Sequence, residues 1–356
     1  MGWEEQIAGG RVAIAMSGGV DSTVVAALVA RQGADAFGIT ARMTDGDSID
    51  DDIQRAAAAC GELGIEHHVV DLRAEFESAV VEDFVAAYIG GETPSPCVTC
   101  NREIKFGALL DKARGLGADL LATGHYVRCV NNAGAFSLLR GADTVKDQAY
   151  FLARLTEEQL RCSLFPLGEM RKQDVQALAI EYGLKARASR ESQDLCFLGG
   201  ENHGQWLDDR AVERPAAGDI VDIDGKVVGC HRGLHYYTIG QRKGLGVALG
   251  QPVYVVELDA ENNRVVVSTR EHVMSREFML RDMRLFEQST GSVLECQVRY
   301  NHRPAECELK LVDDGQAYAV FAEEQFAVTP GQLAVFYAGE RVVASGWIVK
   351  TDETGK

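Results

Sequence analysis

Ser17-Gly18-Gly19-Val20-Asp21-Ser22 is the stretch on which the reading of the whole chain turns. Behind it lies the apolar run Val12-Ala13-Ile14-Ala15-Met16, and ahead of it Thr23-Val24-Val25-Ala26-Ala27-Leu28-Val29 repeats its apolar residues at helical spacing. The order is strand, tight glycine turn, helix. Paired glycines let the backbone approach an anion closely. Asp21 and Ser22 then open a helix whose unpaired N–H groups and positive dipole end face the same point. Such a loop holds phosphate. No lysine follows the glycines as in the Walker loop, and the stretch is not G-x-G-x-x-G. An ordinary strand-to-helix turn also uses glycine, but here strand, loop and helix are all in register.

Downstream, strands and helices alternate. Gly33 supplies a stop and Ala36 to Thr40 reads as a second strand. Asp50, Asp51 and Asp52 are placed to cap a helix carrying Ala56 to Leu63, with Gly64 past its end. His67 to Val70 reads as a third strand, in which the adjacent histidines point to opposite faces and are structural rather than paired metal ligands. A helix from about Glu75 follows to Ile89, ended by Gly90-Gly91. This alternation predicts an α/β fold with a doubly wound parallel sheet, its first strand-to-helix loop at the carboxyl edge where ligands bind.

The next segment is Thr93-Pro94-Ser95-Pro96-Cys97-Val98-Thr99-Cys100. Two prolines enforce an extended approach, and Ile104, Phe106, Leu109 and Leu110 mark a helix beginning just after Cys100. Cys100 then sits near a helix N-terminus with Arg102 and Lys105 close by, conditions that favour a thiolate. By itself a C-x-x-C is half a zinc site, a redox pair or a coincidence. Ala118 to Thr123 is a further strand, with Gly124-His125-Tyr126 at its ligand edge. Asn131 to Gly134 joins two extended runs, and Lys146-Asp147-Gln148 precedes an apolar helix, Ala149 to Leu155. A helix from Gln173 to Tyr182 leads into Ser189-Arg190-Glu191-Ser192-Gln193-Asp194-Leu195-Cys196-Phe197, whose polar residues read as a mobile loop.

From about Pro215 the pattern turns to β, with hairpin signals at Asp224-Gly225 and Glu261-Asn262-Asn263. Between them the stretch His231 to Gly244 is the most basic and aromatic of the chain. A strand-rich section from about Arg276 carries Arg299-Tyr300-Asn301-His302-Arg303 and Pro330-Gly331-Gln332. The chain of 356 residues is too long for one ordinary core. Its 46% hydrophobic and 25% charged residues describe a soluble globular protein. It has no membrane-spanning run and no signal segment, so the expectation is a cytoplasmic protein. Nine cysteines then read as thiols, metal ligands or catalytic groups rather than a disulfide framework. A formal charge of -17 argues against indiscriminate nucleic-acid binding, though a local basic patch still permits RNA.

Taken together, the segments Ser17 to Ser22, Cys100-Asn101 to Ile104-Lys105-Phe106, Ala122 to Tyr126, Lys146 to Gln148, Cys196-Phe197, Gly240 to Gly246 and Pro330 to Gln332 resemble the tRNA-specific 2-thiouridylases, and the first of them resembles the loop of the ATP pyrophosphatases. The resemblance implies an ATP pyrophosphatase catalytic domain over residues 1–205, a small central β domain over 206–275 and a C-terminal β-barrel-like domain over 276–356. It implies that ATP adenylates the C2 oxygen of the wobble uridine of tRNA and that sulfur then replaces that oxygen. It places ATP on Ala15, Met16, Ser17, Gly18, Gly19, Val20, Asp21, Ser22 and Gly124, with Mg2+ offsetting the phosphate charge near Asp21. By position, Cys196 would carry a persulfide received from a sulfur-donor protein and Cys100 would be the nucleophile. The target base would meet Ser95, Pro96 and Cys97. Further tRNA contacts would come from His125, Lys146, Asp147, Gln148, Arg299, Tyr300 and Gln332, in a protein acting as a monomer.

Many members of that family carry Asp where this chain has Cys97. The substitution leaves Cys97, Cys100 and Cys196 as a three-thiolate set that could hold a [4Fe-4S] cluster with one iron open for sulfide, and this reading leans to the cluster over the persulfide. Zinc would want a fourth ligand. Cys60, Cys129, Cys162, Cys230, Cys296 and Cys307 read as small buried hydrophobes. Two other functions compete: a pyrophosphatase-type ligase acting on a small molecule, for which no glutaminase signature is present, and a tRNA-binding paralogue without chemistry, against which the loop and cysteines argue.

Overall fold

A strand in which every side chain is apolar has no face to offer to water and must be covered on both sides. In the computed structural model, which describes residues 3–7, 9–132, 134–184, 195–210, 216–286, 293–312 and 315–350, β1 (Val12–Ala15) meets that condition. Val12, Ala13 and Ile14 are completely buried. It pairs in parallel with β2 (Ala36–Arg42) on one side, and β2 pairs in turn with β3 (Glu66–Asp71). On its other side lies β4 (Leu120–Ala122). A hairpin of β5 (Val127–Asn132) and β6 (Ala135–Arg140) follows, and β7 (Ser163–Leu164) completes a five-stranded parallel sheet in the order β3-β2-β1-β4-β7. The order reverses at β1. The loops leaving β1 and β4 therefore diverge at the carboxyl edge and open a crevice, which is where a doubly wound sheet binds its ligand.

The chain divides into two compact units: Met1–Val80 with Cys97–Gln193 and Glu340–Val342, and Val81–Pro96 with Asp194–Gly339 and Val343–Lys356. The parallel sheet and its helices form the first. The second contains a small sheet of β8 (Gly218–Asp222), β9 (Val227–His231), β10 (Tyr254–Asp259) and β11 (Arg264–Ser268) in the order β10-β11-β8-β9. It also contains a barrel of β12 (Met274–Leu285), β13 (Leu294–Gln297), β14 (Ala305–Leu311), β15 (Ala317–Phe326), β16 (Leu333–Ala338) and β17 (Arg341–Val349). Antiparallel pairing of β12 with β17 closes the barrel and leaves it no free edge. Phe278, Phe321 and Phe336 fill its interior. The expected turns at Asp224-Gly225 and Asn262-Asn263 are present, with Gly225 at φ 81° and Asn263 at φ 53°.

Helix starts differ from the sequence expectation in an instructive way. The first acidic helix spans Asp47–Leu63 behind Gly46, so the three aspartates expected as caps lie inside its opening turns. The helical stretch expected from Glu75 begins at Arg73 and passes through a π-helical turn, Glu77–Val81. The helix expected after Cys100 begins at Pro96 and continues through a π-helical segment, Cys100–Ala108, to Gly115. Proline costs nothing at the first helical position, where its missing N–H has no partner to lose. Of the six background cysteines, Cys60, Cys296 and Cys307 are buried, Cys129 and Cys162 are half-buried, and Cys230 is exposed on β9, contrary to expectation. The polar loop expected over Ser189–Asp194 lies outside the described residues. Among the described residues no helix is long and apolar enough to cross a membrane.

Because Ile14 is wholly buried at the centre of the sheet, Ile14→Ala should destabilise the first unit by about 2–5 kcal/mol. Urea denaturation followed by circular dichroism measures it.

Candidate functional site

The end of β1 is pinned before the glycine loop begins. Met16 donates its N–H to the Ile39 carbonyl at 2.9 Å, and its own carbonyl accepts the Thr40 hydroxyl at 2.8 Å. Met16 is thus a core residue that contributes backbone, and Ala15 is half-buried beside it. Gly18 takes φ 72°, and a Cβ there would lie 2.5 Å from the Asp52 carbonyl oxygen, so no other residue fits this turn. The helix Val20–Arg31 follows with Gly19 as its N-cap and no side-chain cap. Ser22 and Thr23 turn their hydroxyls back to the Gly19 carbonyl at 3.1 and 2.9 Å. Ser17 is exposed, and its N–H reaches Ser22 Oγ at 3.2 Å. A helix start without a side-chain acceptor, behind a glycine turn, offers its N–H groups to an external anion.

The loop leaving β4 closes onto the same point. A Cβ on Gly124 would stand 3.2 Å from Asp21 Cβ and 3.3 Å from the Ser22 nitrogen, so Gly124 lets this loop lie directly on the first turn of the helix. Next along the chain, Tyr126 donates its hydroxyl to Asp21 Oδ1 at 2.8 Å. Lys172, the first residue of the helix Lys172–Glu181, sets its ammonium 2.8 and 2.7 Å from the two Asp21 oxygens. The carboxylate expected beside magnesium is therefore held by a lysine on both oxygens. No magnesium step is derived from that arrangement. It does put a cation and a phenol at the mouth of the glycine loop. Lys172 had no signal in the sequence, because its partner lies 151 residues away.

Pro96 starts the cysteine-bearing helix, so Cys97 falls in its first turn and Cys100 one turn further in. Dipole assistance fades within the first turn and favours Cys97 over Cys100, which reverses the sequence expectation. Cys97 is half-buried and Cys100 buried. Asn101 ties the two turns by donating to the Cys97 carbonyl at 3.0 Å, and its own buried Oδ1 has no hydrogen-bond partner among the described residues. The π-helical segment leaves carbonyls out of line, and Gln159 caps that of Arg102 at 2.7 Å.

The other cysteine segment belongs to the second unit. Cys196 is exposed and opens a short turn, Cys196–Leu198, ended by Gly199 at φ 61°. Its neighbour Phe197 is gripped by Phe84 and Trp206, with ring centroids 5.1 Å apart in each case. Phe84 sits in the first turn of the helix Glu82–Ile89. Beyond the end of that helix, half-buried Ser95 and buried Pro96 lead to Cys97. Gln332, expected as an RNA contact, donates to the Thr93 and Pro94 carbonyls at 2.8 and 3.1 Å.

The remaining expected RNA contacts are largely occupied. His125 is 9% exposed, bonded through Nδ1 to Thr123 Oγ1 at 2.9 Å and packed on Phe106. Burial, with the Lys105 charge adding to it, holds its imidazole well below the usual histidine range. Asp147 accepts the Gly141 and Ala149 N–H groups at 2.9 and 3.1 Å, and burial pushes its carboxyl up. Gln148 accepts the Tyr126 N–H at 2.9 Å. Lys146 is half-buried on the same turn. Arg299 donates to the Phe326 carbonyl at 3.0 Å, and the Tyr300 carbonyl accepts from Gln297 at 2.7 Å. In the aromatic stretch, Asp208 accepts His235 at 2.9 Å and the Tyr236 hydroxyl at 2.6 Å, with Arg232 stacked 3.6 Å over the Tyr236 ring. Those bonds tie the stretch to Asp208, while Arg242 and Lys243 are exposed.

Among the described residues no three His, Cys, Asp or Glu side chains are grouped to hold a metal ion. Of the three thiols expected to hold a [4Fe-4S] cluster, half-buried Cys97 and buried Cys100 share one helical stretch of the first unit, and exposed Cys196 lies in the second. No step is derived through such a cluster.

Three family models match in succession: the tRNA methyl transferase HUP domain over residues 10–200, the tRNA methyl transferase PRC-barrel domain over 206–269, and the aminomethyltransferase beta-barrel domain over 275–348. The chain is 43% identical over 354 residues to the tRNA-specific 2-thiouridylase MnmA of Geotalea uraniireducens, covering 95% of this chain and 94% of that one. It is 42% identical to the protein of that name from Geobacter metallireducens, covering 95% and 96%, and 42% identical to that from Nostoc punctiforme, covering 95% and 98%. Among solved structures it is similar to the U34-tRNA thiolase NcsA from Methanococcus maripaludis with its [4Fe-4S] cluster. The identity there is 21%, the TM-score 0.36, and the coverage 56% of this chain and 64% of that one.

Lys172→Met should weaken ATP binding about tenfold by leaving the Asp21 charge uncompensated beside the phosphates. Adding Asp21→Asn should recover part of the loss, as measured by titration calorimetry. The depressed His125 value carries a pH signature. Its stabilisation is complete above the unfolded value of about 6.5 and declines as pH falls towards the folded value, by about 1.4 kcal/mol per pH unit. Denaturation midpoints at pH 7.5 and pH 5 should differ more for the wild type than for His125→Gln.

Proposed function

This chain belongs to the family of tRNA-specific 2-thiouridylases, and from that premise we propose how its residues turn the wobble uridine of tRNA into 2-thiouridine. The description of the matching models speaks of methyl transfer, whereas the relatives are named for thiolation. A phosphate loop and two cysteine-bearing segments are what replacement of an activated oxygen by sulfur requires. The observation that carries the mechanism is the bare helix start behind Gly18 at the reversal of the sheet, with Gly124 laid against it.

In the first step the uridine C2 oxygen attacks the α-phosphate of ATP, the bond to pyrophosphate breaks, and AMP is left esterified to the base. The N–H groups of the glycine turn and helix start hold the phosphates. Lys172, now shared with Asp21, offsets the charge that builds up as pyrophosphate leaves. A carbonyl oxygen is thereby converted into a leaving group.

Sulfur arrives on Cys196, whose exposure suits delivery by a donor protein that bears a persulfide. The Cys100 thiolate attacks the Cys196 sulfur, a Cys100–Cys196 disulfide forms, and hydrosulfide is expelled. Hydrosulfide adds at C2, AMP departs with the former C2 oxygen, and a thiol reductant supplies the two electrons that reopen the disulfide. Cys97, where many relatives carry a carboxylate, lies in the helix turn best placed to stabilise an anion next to the reacting base.

The test is nucleoside mass spectrometry after incubating tRNA with ATP, a persulfide donor and a thiol reductant. Wild type should form 2-thiouridine, while Cys100→Ser and Cys196→Ser should retain tRNA-dependent pyrophosphate release and lose thiolation by at least about 10³-fold. Pyrophosphate release that ignores tRNA would point to a small-molecule ligase. Thiolation that tracks bound iron, and survives Cys196→Ser, would overturn the persulfide route.

A further inference from the structure

The segment Glu92–Pro96, which delivers Cys97, is poor in hydrogen-bond donors, since Pro94 and Pro96 have no N–H. Its carbonyls must find donors elsewhere. One side chain of the barrel supplies two of them: Gln332 Nε2 donates to Thr93 O at 2.8 Å and to Pro94 O at 3.1 Å. Both partners are acceptors, so the orientation of the amide is unambiguous, and both of its hydrogens are spent. The rest of the turn closes on the same segment. Thr93 donates to the Pro330 carbonyl at 3.0 Å. Gly331, at φ 87°, leaves no room for a side chain, because a Cβ there would lie 3.0 Å from Glu92 Cβ, Thr93 N and Thr93 O. Arg281 on β12 reaches Glu92 at 3.5 Å. The turn is itself fixed in the barrel, with the Gly331 N–H on the Ile348 carbonyl and the Ile348 N–H on the Gln332 carbonyl, each at 2.9 Å.

We propose that the barrel turn Pro330–Gln332 is a clamp that positions the base-facing segment Ser95–Cys97, with Gln332 as its positioning residue rather than a phosphate contact. The proposal rests on the thiolation reading for its kinetic consequence only. A glutamine whose two donors are already committed cannot also donate to a phosphate without releasing Thr93 and Pro94. To RNA it offers only its carbonyl oxygen, an acceptor suited to a hydroxyl. The clamp grips Thr93 and Pro94, four and three residues before Cys97, with only Ser95 between them and Pro96, where the helix starts. Loosening it displaces the thiol-bearing turn without touching ATP, and misplacement on this scale costs rate rather than affinity.

Gln332→Glu keeps the shape, removes both donors and sets a carboxylate against two carbonyls. At saturating tRNA it should slow single-turnover thiolation by roughly tenfold to a hundredfold, with the tRNA Kd from filter binding changed by less than about twofold. Gly331→Ala, which leaves Gln332 intact and pushes on Thr93, should give the same split, so the test survives if one variant fails to fold. Hydrogen–deuterium exchange should rise in both variants over the peptide 92–101 and not over the sheet peptide 12–16. A large rise in Kd with an unchanged saturating rate would make Gln332 an RNA contact and overturn the clamp, as would unchanged exchange at 92–101. If the wild type forms no 2-thiouridine, the thiolation reading falls, yet exchange still decides the clamp because it needs no turnover.

Discussion

Parallel pairing of one short apolar strand between two others governs this protein. β1 is buried on both faces, so the chain must leave it at its carboxyl end. Because β2 and β4 take the two flanks, the loops after β1 and β4 part company there. The resulting crevice is lined by the backbone N–H groups of the glycine loop and helix start, and Gly18 makes that turn without the collision with Asp52 that a side chain would cause. Asp21 and Lys172 supply the counter-charge.

The cysteine segments show how a small change in helix start alters chemistry. Apolar periodicity places the helix after Cys100, since Ile104 opens the run of large apolar residues Ile104, Phe106, Leu109 and Leu110. The real start is Pro96, because proline fits the first helical position and the polar residues between it and Ile104 are no obstacle to helix. That shift moves the dipole's benefit from Cys100 to Cys97. It also gives sense to a position where a thiol stands in place of a carboxylate. Both groups are anionic when reactive, and both profit from a helix start.

Several residues assigned to RNA by resemblance also make structural ties within the chain. Asp147 and Gln148 satisfy backbone N–H groups of the turn they occupy, and Gln332 satisfies carbonyls of another segment. A loop must be held in one shape before it can meet RNA. A side chain can serve that purpose from the second row, and a motif alone does not distinguish the two roles. His125 is similar: its neighbours Phe106 and Thr123 bury and bond it, which keeps the ring neutral.

How much was legible follows from the range of the forces involved. Strand, turn and helix around Ser17–Ser22, the parallel architecture and the β character after Pro215 are set by local patterns of apolar and glycine residues, and these the sequence alone determined. The family resemblance named the chemistry from short motifs. What it could not contain were pairings between distant residues: Lys172 with Asp21, Gln332 with Thr93 and Pro94, Phe84 with Phe197. Those contacts have no period and leave no trace in composition. They exist only once burial has brought the segments together, and so the tertiary structure alone decided which polar groups are spent on holding the fold and which remain for the substrate.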